Sequence, residues 1–347
     1  MSTERVKFLA NILLFLAVLA GIGISNPIFA AVPKKKAPQK PDPTPSVTHL
    51  LPQFRKEGMK SVREIIFAVR KPGTDVHYYA NFGYYAGNEN QYPFHPHGGG
   101  ALRALNLDTK KIRTIYEEKK GSVRDPILHY SGKKILFSLL KEGTDSYNLY
   151  EINLDGSGLR QITFGDRDDI EPCYLPNGDI LFCSTRSNRY VQCWLTHVAT
   201  IHRCGPNGEN IRPLSANVEM DSTPWVLDSG QIMYTRWEYV DRSQVTYHHL
   251  WTMNPDRTRQ MVLFGNQFKE KGMLFIDAKT ILNSRKIVMT VSPYHGRPEH
   301  YGRIAVIDPQ LGPDDFSAVQ FISKKYDHSD PWAFSESEFM AAKKNAL

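Results

Sequence analysis

The sequence predicts an all-β fold, a β-propeller of four-stranded antiparallel blades, with about five blades plus a partial sixth. Three observations predict it. A unit of roughly 40–50 residues repeats in phase. Each unit carries paired turn signals between alternating strands. No long stretch shows a helical period.

The chain opens with Arg5 and Lys7, an uncharged stretch from Phe8 to Phe29, and then Ala30 and Ala31. Residues 1–30 read as a secretory signal peptide cleaved near Ala30. An apolar run of this length also reaches across a bilayer as an uncleaved anchor. Asn11, Gly21, Gly23, Ser25 and Pro27 interrupt it, however, and leave roughly 13 strongly apolar residues, close to a signal h-region. The protein is therefore expected to be periplasmic or secreted, touching a membrane only through this segment where it stays uncleaved. No cysteine stands at the boundary, which argues against a lipoprotein.

Residues 31–60 form a Pro/Lys-rich linker. Its core, Val32 to Ser46, holds five prolines and four lysines and has almost nothing to bury. The formal net charge is +7 over 347 residues. Because the charges beyond the linker are mixed in sign and form no basic stripe, nucleic acid is not an expected partner.

The propeller is expected over 61–347. One unit runs from Arg124 as "RDPILHYSGKKILFSLL" and "YNLYEINLDGSGLRQITF"; the next, from Asp169, as "DIEPCYLPNGDILFCSTR" and "ATIHRCGPNGENIRPLS"; a third starts at Asp221 with "DSTPWVLDSGQIMYTRWE" and "HLWTMNPDRTRQMVLF". Pro126, Pro172 and Pro224 stay in phase, as do Gly132, Gly178 and Gly230. Weaker copies, "REIIFAVRK" with "ALRALNLDTKKIRTIYE" and "FIDAKTILNSRKIVMTVS" with "RIAVIDP", flank these three. Blades bury their faces against their neighbours, so the cores are expected between units.

The last segment, "HSDPWAFSESEFMAAKKNAL", resembles the start of a further unit, so the chain is expected to stop inside its sixth blade. An open edge of this kind invites association. Three readings stay open: an N-terminal strand near Arg63 completes the blade, a protein partner or second copy pairs with the edge, or the chain is a shortened copy of a longer protein.

At "VRDPILHYSGKKILFS", "YNLYEINLDGSGLRQIT", "DDIEPCYLPNGDILFCSTR", "TPWVLDSGQIMYTRWEYVDRSQVTYHHLWTMNPD" and "HGRPEHYGRIAVIDP", the chain resembles planctomycete propeller proteins related to the hydrazine synthase alpha subunit. Its blades also resemble the TolB-type (WD40-like) repeat, in the phrase from Asp155 to Thr163. The resemblance implies a propeller, an exported location and further domains beyond the segment matched. It also brings a haem-dependent chemistry into view, but no C-x-x-C-H attachment motif occurs here, so covalent haem c is not expected.

Four cysteines, Cys173, Cys183, Cys193 and Cys204, fall within one unit. In an exported protein they suggest disulfides, with Cys183–Cys193 or Cys183–Cys204 as the candidate pairs. If Asn177-Gly178 is a two-residue turn, Cys173 faces Phe182 and Cys183 points to the other face. The alternative is a divalent metal held by Cys183, Cys193, His197 and His202.

A second candidate site is polar. Arg236, Glu238, Asp241 and Arg242 precede "YHHLW" with His248 and His249, and the next unit carries His295 and His300. These would form a ligand-binding mouth at one end of the channel, with at most one of His248 and His249 facing it, since neighbouring strand residues point to opposite faces. His95 and His97 precede a glycine run in a loop. The acidic starts of the units, Asp125, Asp169 with Glu171, Asp221 and Asp330, recur at what reads as one position and offer a cation ring.

No G-x-S-x-G, H-E-x-x-H, Walker loop or G-x-G-x-x-G is present. The leading expectation is a non-catalytic propeller that binds a ligand or partner. A metal- or haem-associated redox subunit and a truncated inactive family member are the alternatives.

Overall fold

The computed structural model describes residues 60–71, 73, 75, 77–80, 97–268, 273–293, 300–324, 326, 328–333 and 339–343, all within one compact unit, Leu50–Leu347. The expected signal peptide, nearly all of the linker, His95 and His295 lie outside the described residues.

The described chain is all-β, built from successive antiparallel sheets in a propeller arrangement. The first sheet has three strands, β1 (Glu64–Arg70), β2 (Gly100–Asn106) and β3 (Ile112–Glu118). Four full blades follow. The second is β4 (Ser122–Leu128), β5 (Lys134–Leu140), β6 (Asn148–Asn153) and β7 (Arg160–Gln161), and the third is β8 (Asp169–Tyr174), β9 (Ile180–Ser184), β10 (Thr200–Cys204) and β11 (Arg212–Pro213). The fourth is β12 (Asp221–Val226), β13 (Ile232–Trp237), β14 (His248–Met253) and β15 (Met261–Phe264), and the fifth is β16 (Leu274–Thr280), β17 (Ile287–Ser292), β18 (Arg303–Ile307) and β19 (Val319–Phe321). β20 (His328–Ala333) and β21 (Phe339–Lys343) form a two-stranded sheet packed beside the fifth blade.

Strand alternation explains where the cores sit. Within β9, Phe182 joins Leu136, Leu149 and Ile180 between the second and third blades, while Cys183 faces the third–fourth interface with Ile201, Ile232 and Tyr234. In β13 the neighbours Met233 and Tyr234 divide between two interfaces in the same way. Each blade therefore stabilises the next through buried apolar area.

The first strands of successive blades contact one another and line the centre. β1 runs in unbroken register, but β4, β8, β12, β16 and β20 each have a register break at a residue with left-handed backbone: Asp125, Glu171, Thr223, Asp277 and Asp330, with φ between 48° and 54°. Proline follows four of the five, as Pro126, Pro172, Pro224 and Pro331. A bulged residue has no ladder partner, so a proline beside it leaves little unsatisfied, and the bulge re-aims the side chain before it toward the axis.

The hairpin turn in the third blade corrects one expectation. Leu175 N–H donates to Asp179 O at 2.8 Å and Gly178 N–H to Leu175 O at 2.9 Å, so the loop has three residues, Pro176 to Gly178, closed by Gly178 at φ +90°. Cys173 consequently faces Leu181 rather than Phe182, and Cys173 and Cys183 share one face.

Candidate functional site

The bulge residues of the inner strands carry an axial cluster. Asp125 accepts the Glu171 backbone N–H at 3.0 Å, and Glu171 Oε2 accepts that of Thr223 at 2.6 Å. Asp277 accepts the backbone N–H of Asp330 at 3.4 Å. Asp125, Glu171 and Asp277 thus each grip the bulge of the following sheet, and between the described bulges of β8 to β16 the chain of grips lapses at Thr223, whose hydroxyl turns instead to Thr235 at 3.1 Å.

His300 spans that break. Its Nδ1 lies 2.7 Å from Asp277 Oδ1, and its Nε2 lies 3.6 Å from Glu171 Oε1. Arg124 lies 3.6 Å from the same Glu171 oxygen and donates to Asp125 at 2.7 Å, while Lys279 pairs with Asp330. The Glu171 side chain consequently meets groups from the second, fourth and fifth blades as well as its own.

The charges follow from this geometry. Burial alone would strip the proton from His300, but the charge and hydrogen bond of Asp277, with the charge of Glu171, override it and push its pKa up to about 9. Burial works against ionisation of Asp277 too, yet His300 and Lys279 hold it below the usual carboxylate range. Glu171 stays above that range, because desolvation outweighs His300 and Arg124 and the Asp125 charge adds to it. Cys183 donates to Glu171 at 3.4 Å, and burial followed by the Glu171 charge raises its thiol far above the free value.

Over this cluster lies a segment that sequence reasoning missed, Asp75 to Ala80, from the connection between β1 and β2. The Tyr78 hydroxyl meets His248 Nδ1 at 2.8 Å, and the opposite nitrogen of that ring donates to the Gln244 carbonyl at 3.1 Å. Beneath Tyr78, a cavity of about 10 Å³ is lined by Glu171, Cys183, Ser222 and His300 among others. That is room for about one water molecule.

The expected site residues divide. His248 and His300 converge on Tyr78, whose ring lies 5.5 and 5.6 Å from theirs. His249 points the other way, against Phe275 and Phe268, and burial pushes its pKa down to about 4. Arg236 is held by the buried Asp221 at 2.9 and 3.0 Å and lies over the Trp251 ring. Glu238 pairs with Arg242 at 2.9 Å, and Arg242 donates to Asn266. Asp241 is exposed. His97 is exposed as well.

The acidic positions need a correction. Asp125, Glu171 and Asp330 are equivalent bulge residues, but Asp169 and Asp221 lie two residues earlier in their strands. Asp169 is fully buried and paired with Arg186 at 2.6 Å, as Asp221 is with Arg236. The remaining acidic bulge residue, the fourth, is Asp277, and aligning "FIDAKT" with "VRDPIL" residue by residue would have found it.

The cysteines stand as free thiols. Cys183 pairs with Ile201 across β9 and β10, while Cys204 pairs with Ile180, three residues along and on the opposite face, so a Cys183–Cys204 bridge is geometrically closed. Cys183 is instead bonded to Glu171 and to the Asp221 carbonyl, and Cys193 sits in the loop after β9 beside Tyr79 and Glu219. His202 lies across from Phe182, on the face away from Cys183, and His197 packs on Tyr190. The proposed metal ligands are thus not brought together, and among the described residues no group of three or more His, Cys, Asp and Glu side chains is disposed to hold a metal ion.

No family model matches the chain. It is 29% identical over 89 residues to hydrazine synthase subunit alpha of Kuenenia stuttgartiensis, a match covering 26% of this chain and 11% of that protein. The solved hydrazine synthase of the same organism superposes with a TM-score of 0.67 at 18% identity, covering 82% of this chain and 42% of that one. TolB from Acinetobacter baumannii matches with a TM-score of 0.45 at 14% identity, over 67% of this chain and 50% of that one. The chain thus spans less than half the length of the hydrazine synthase chain it resembles in fold.

Proposed function

We propose that this chain is the propeller scaffold of an exported protein akin to hydrazine synthase subunit alpha, and that it binds a ligand or protein partner without catalysing a reaction of its own. The observation that carries this reading is the saturation of the axial cluster. Asp125 is matched by Arg124, Asp277 by His300, Asp330 by Lys279, and Glu171 by the Thr223 N–H with two cations nearby. A cluster satisfied in this way, around space for about one water, fixes blades to one another. The fold shared with hydrazine synthase supports the scaffold half of the reading.

In this reading residues 1–30 direct export, and recognition falls to surface loops such as that of Glu238, Asp241 and Arg242. A reporter active only outside the cytoplasm, fused after residue 60, is expected to be active. The purified chain is expected to carry no stoichiometric metal or haem. Zinc, copper or iron at one equivalent, lost on His300→Asn or His249→Ala, would overturn the scaffold reading in favour of a metal-dependent redox subunit. Light scattering on the same sample tests association through a blade edge, with a dimer expected if a second copy is the partner.

A further inference from the structure

We propose that Asp75 and His77–Ala80 act as a latch that opens while the blades stay folded, uncovering the axial cluster. The segment belongs in sequence to the first sheet, yet it is buried against the third, fourth and fifth. Tyr78, Tyr79 and Ala80 are only 4%, 1% and 2% exposed.

What holds it is side-chain chemistry. Asp75 Oδ2 accepts from the Trp194 indole N–H at 3.0 Å, and the His77 ring lies 4.2 Å from the Trp194 ring. Tyr78 meets His248, and Tyr79 packs at 4.7 Å on Trp237, which itself stacks on His248 at 4.8 Å. The described residues of the segment form no strand, and their turn is closed by Ala80 N–H donating to His77 O at 3.1 Å. Among the described residues, lifting it breaks aromatic packing and hydrogen bonds but no rung of a blade ladder, so its opening lies below the free energy of global unfolding. Under it sit Glu171, Ser222, His300 and the fully buried Cys183.

Cys183 reports on the latch, and Cys204, buried between the second and third blades, is the internal control. The full chain is labelled with iodoacetamide in native buffer across sub-denaturing urea and read by peptide mass spectrometry. The latch predicts a Cys183 rate nearly flat in urea and a Cys204 rate that climbs steeply, because local opening exposes little surface and global unfolding exposes much. Tyr78→Ala is expected to raise Cys183 labelling by about tenfold or more and leave Cys204 unchanged. Parallel urea dependence of the two cysteines overturns the proposal, whether or not the variant folds, and so does a folded Tyr78→Ala protein with an unchanged Cys183 rate.

Discussion

Glu171 and His300, from the third and fifth blades, face each other at 3.6 Å across the fourth blade, at the one inner strand whose bulge residue, Thr223, carries no carboxylate. The imidazolium stands where the repeat's own chain of grips lapses. This contact joins blades that are not neighbours in sequence, and several expectations rest on it.

Removing the Glu171 carboxylate should be costly. Glu171→Ala leaves the Thr223 N–H, Arg124 and His300 without their shared acceptor, and breaking a buried ion pair from one side typically costs roughly 3–5 kcal/mol. Urea unfolding should show this loss, and Glu171→Gln, which keeps an acceptor oxygen, should lose less.

Stability should fall at alkaline pH. His300 has its pKa raised from 6.5 to about 9 in the folded chain, so its contribution is full below about 6.5 and lost as pH rises through 9. Such a shift corresponds to a few kcal/mol, on the order of 1.4 per pK unit. Thermal melting from pH 6 to 10 should show the decline, and His300→Gln should flatten it.

Glu219 should act in the same direction for the opposite reason. Its side chain is fully buried, with Oε1 accepting the Gln192 N–H at 3.1 Å and no hydrogen-bond partner on Oε2. Burial raises its pKa to about 7, against the Gln192 bond and Arg189, so ionisation opposes folding as pH rises from 4.5 to 7. Glu219→Gln should stabilise the protein at pH 8 by roughly 2–3 kcal/mol and leave it near wild type at pH 4.5, measured by denaturant midpoints.

Two glycines should respond differently to alanine. Gly178 at φ +90° has open space around a new Cβ, so Gly178→Ala should cost only about 1–2 kcal/mol of backbone strain. At Gly208 the Cβ would lie 1.9 Å from the Ile162 carbonyl oxygen, so the fourth-strand contact between the second and third blades must shift. Gly208→Ala should therefore lower the melting temperature well beyond Gly178→Ala.

Thiol titration of the unfolded, unreduced chain should count four free cysteines. A disulfide mapped to Cys183 would contradict its packing on Glu171.

The repeat phase of Pro126, Pro172 and Pro224 with Gly132, Gly178 and Gly230 was enough to establish blades, four-stranded units and cores between them. Those features depend on local chemistry, on turns that need left-handed glycine and on alternation along a strand, and local chemistry is written in consecutive residues. The left-handed bulges were half visible, in the acidic-Pro dipeptides at Asp125 and Glu171, but their register effect on Cys173 was not, because one residue of loop length exchanges the faces of a strand.

The axial site was legible only in part. His248 and His300 were recognisable as candidates, and the alternation argument correctly separated His248 from His249. Asp277 was recorded in the phase of "FIDAKT" with "VRDPIL", but Tyr78 and the Arg124 contact were not legible, since Tyr78 lies 170 residues from the histidine it meets. Sequence alone therefore determined the architecture, while tertiary structure decided which charges neutralise one another and that the axis is a packed, compensated junction. The reason is that desolvation and Coulomb energies depend on distances between blades, which no local pattern of residues records.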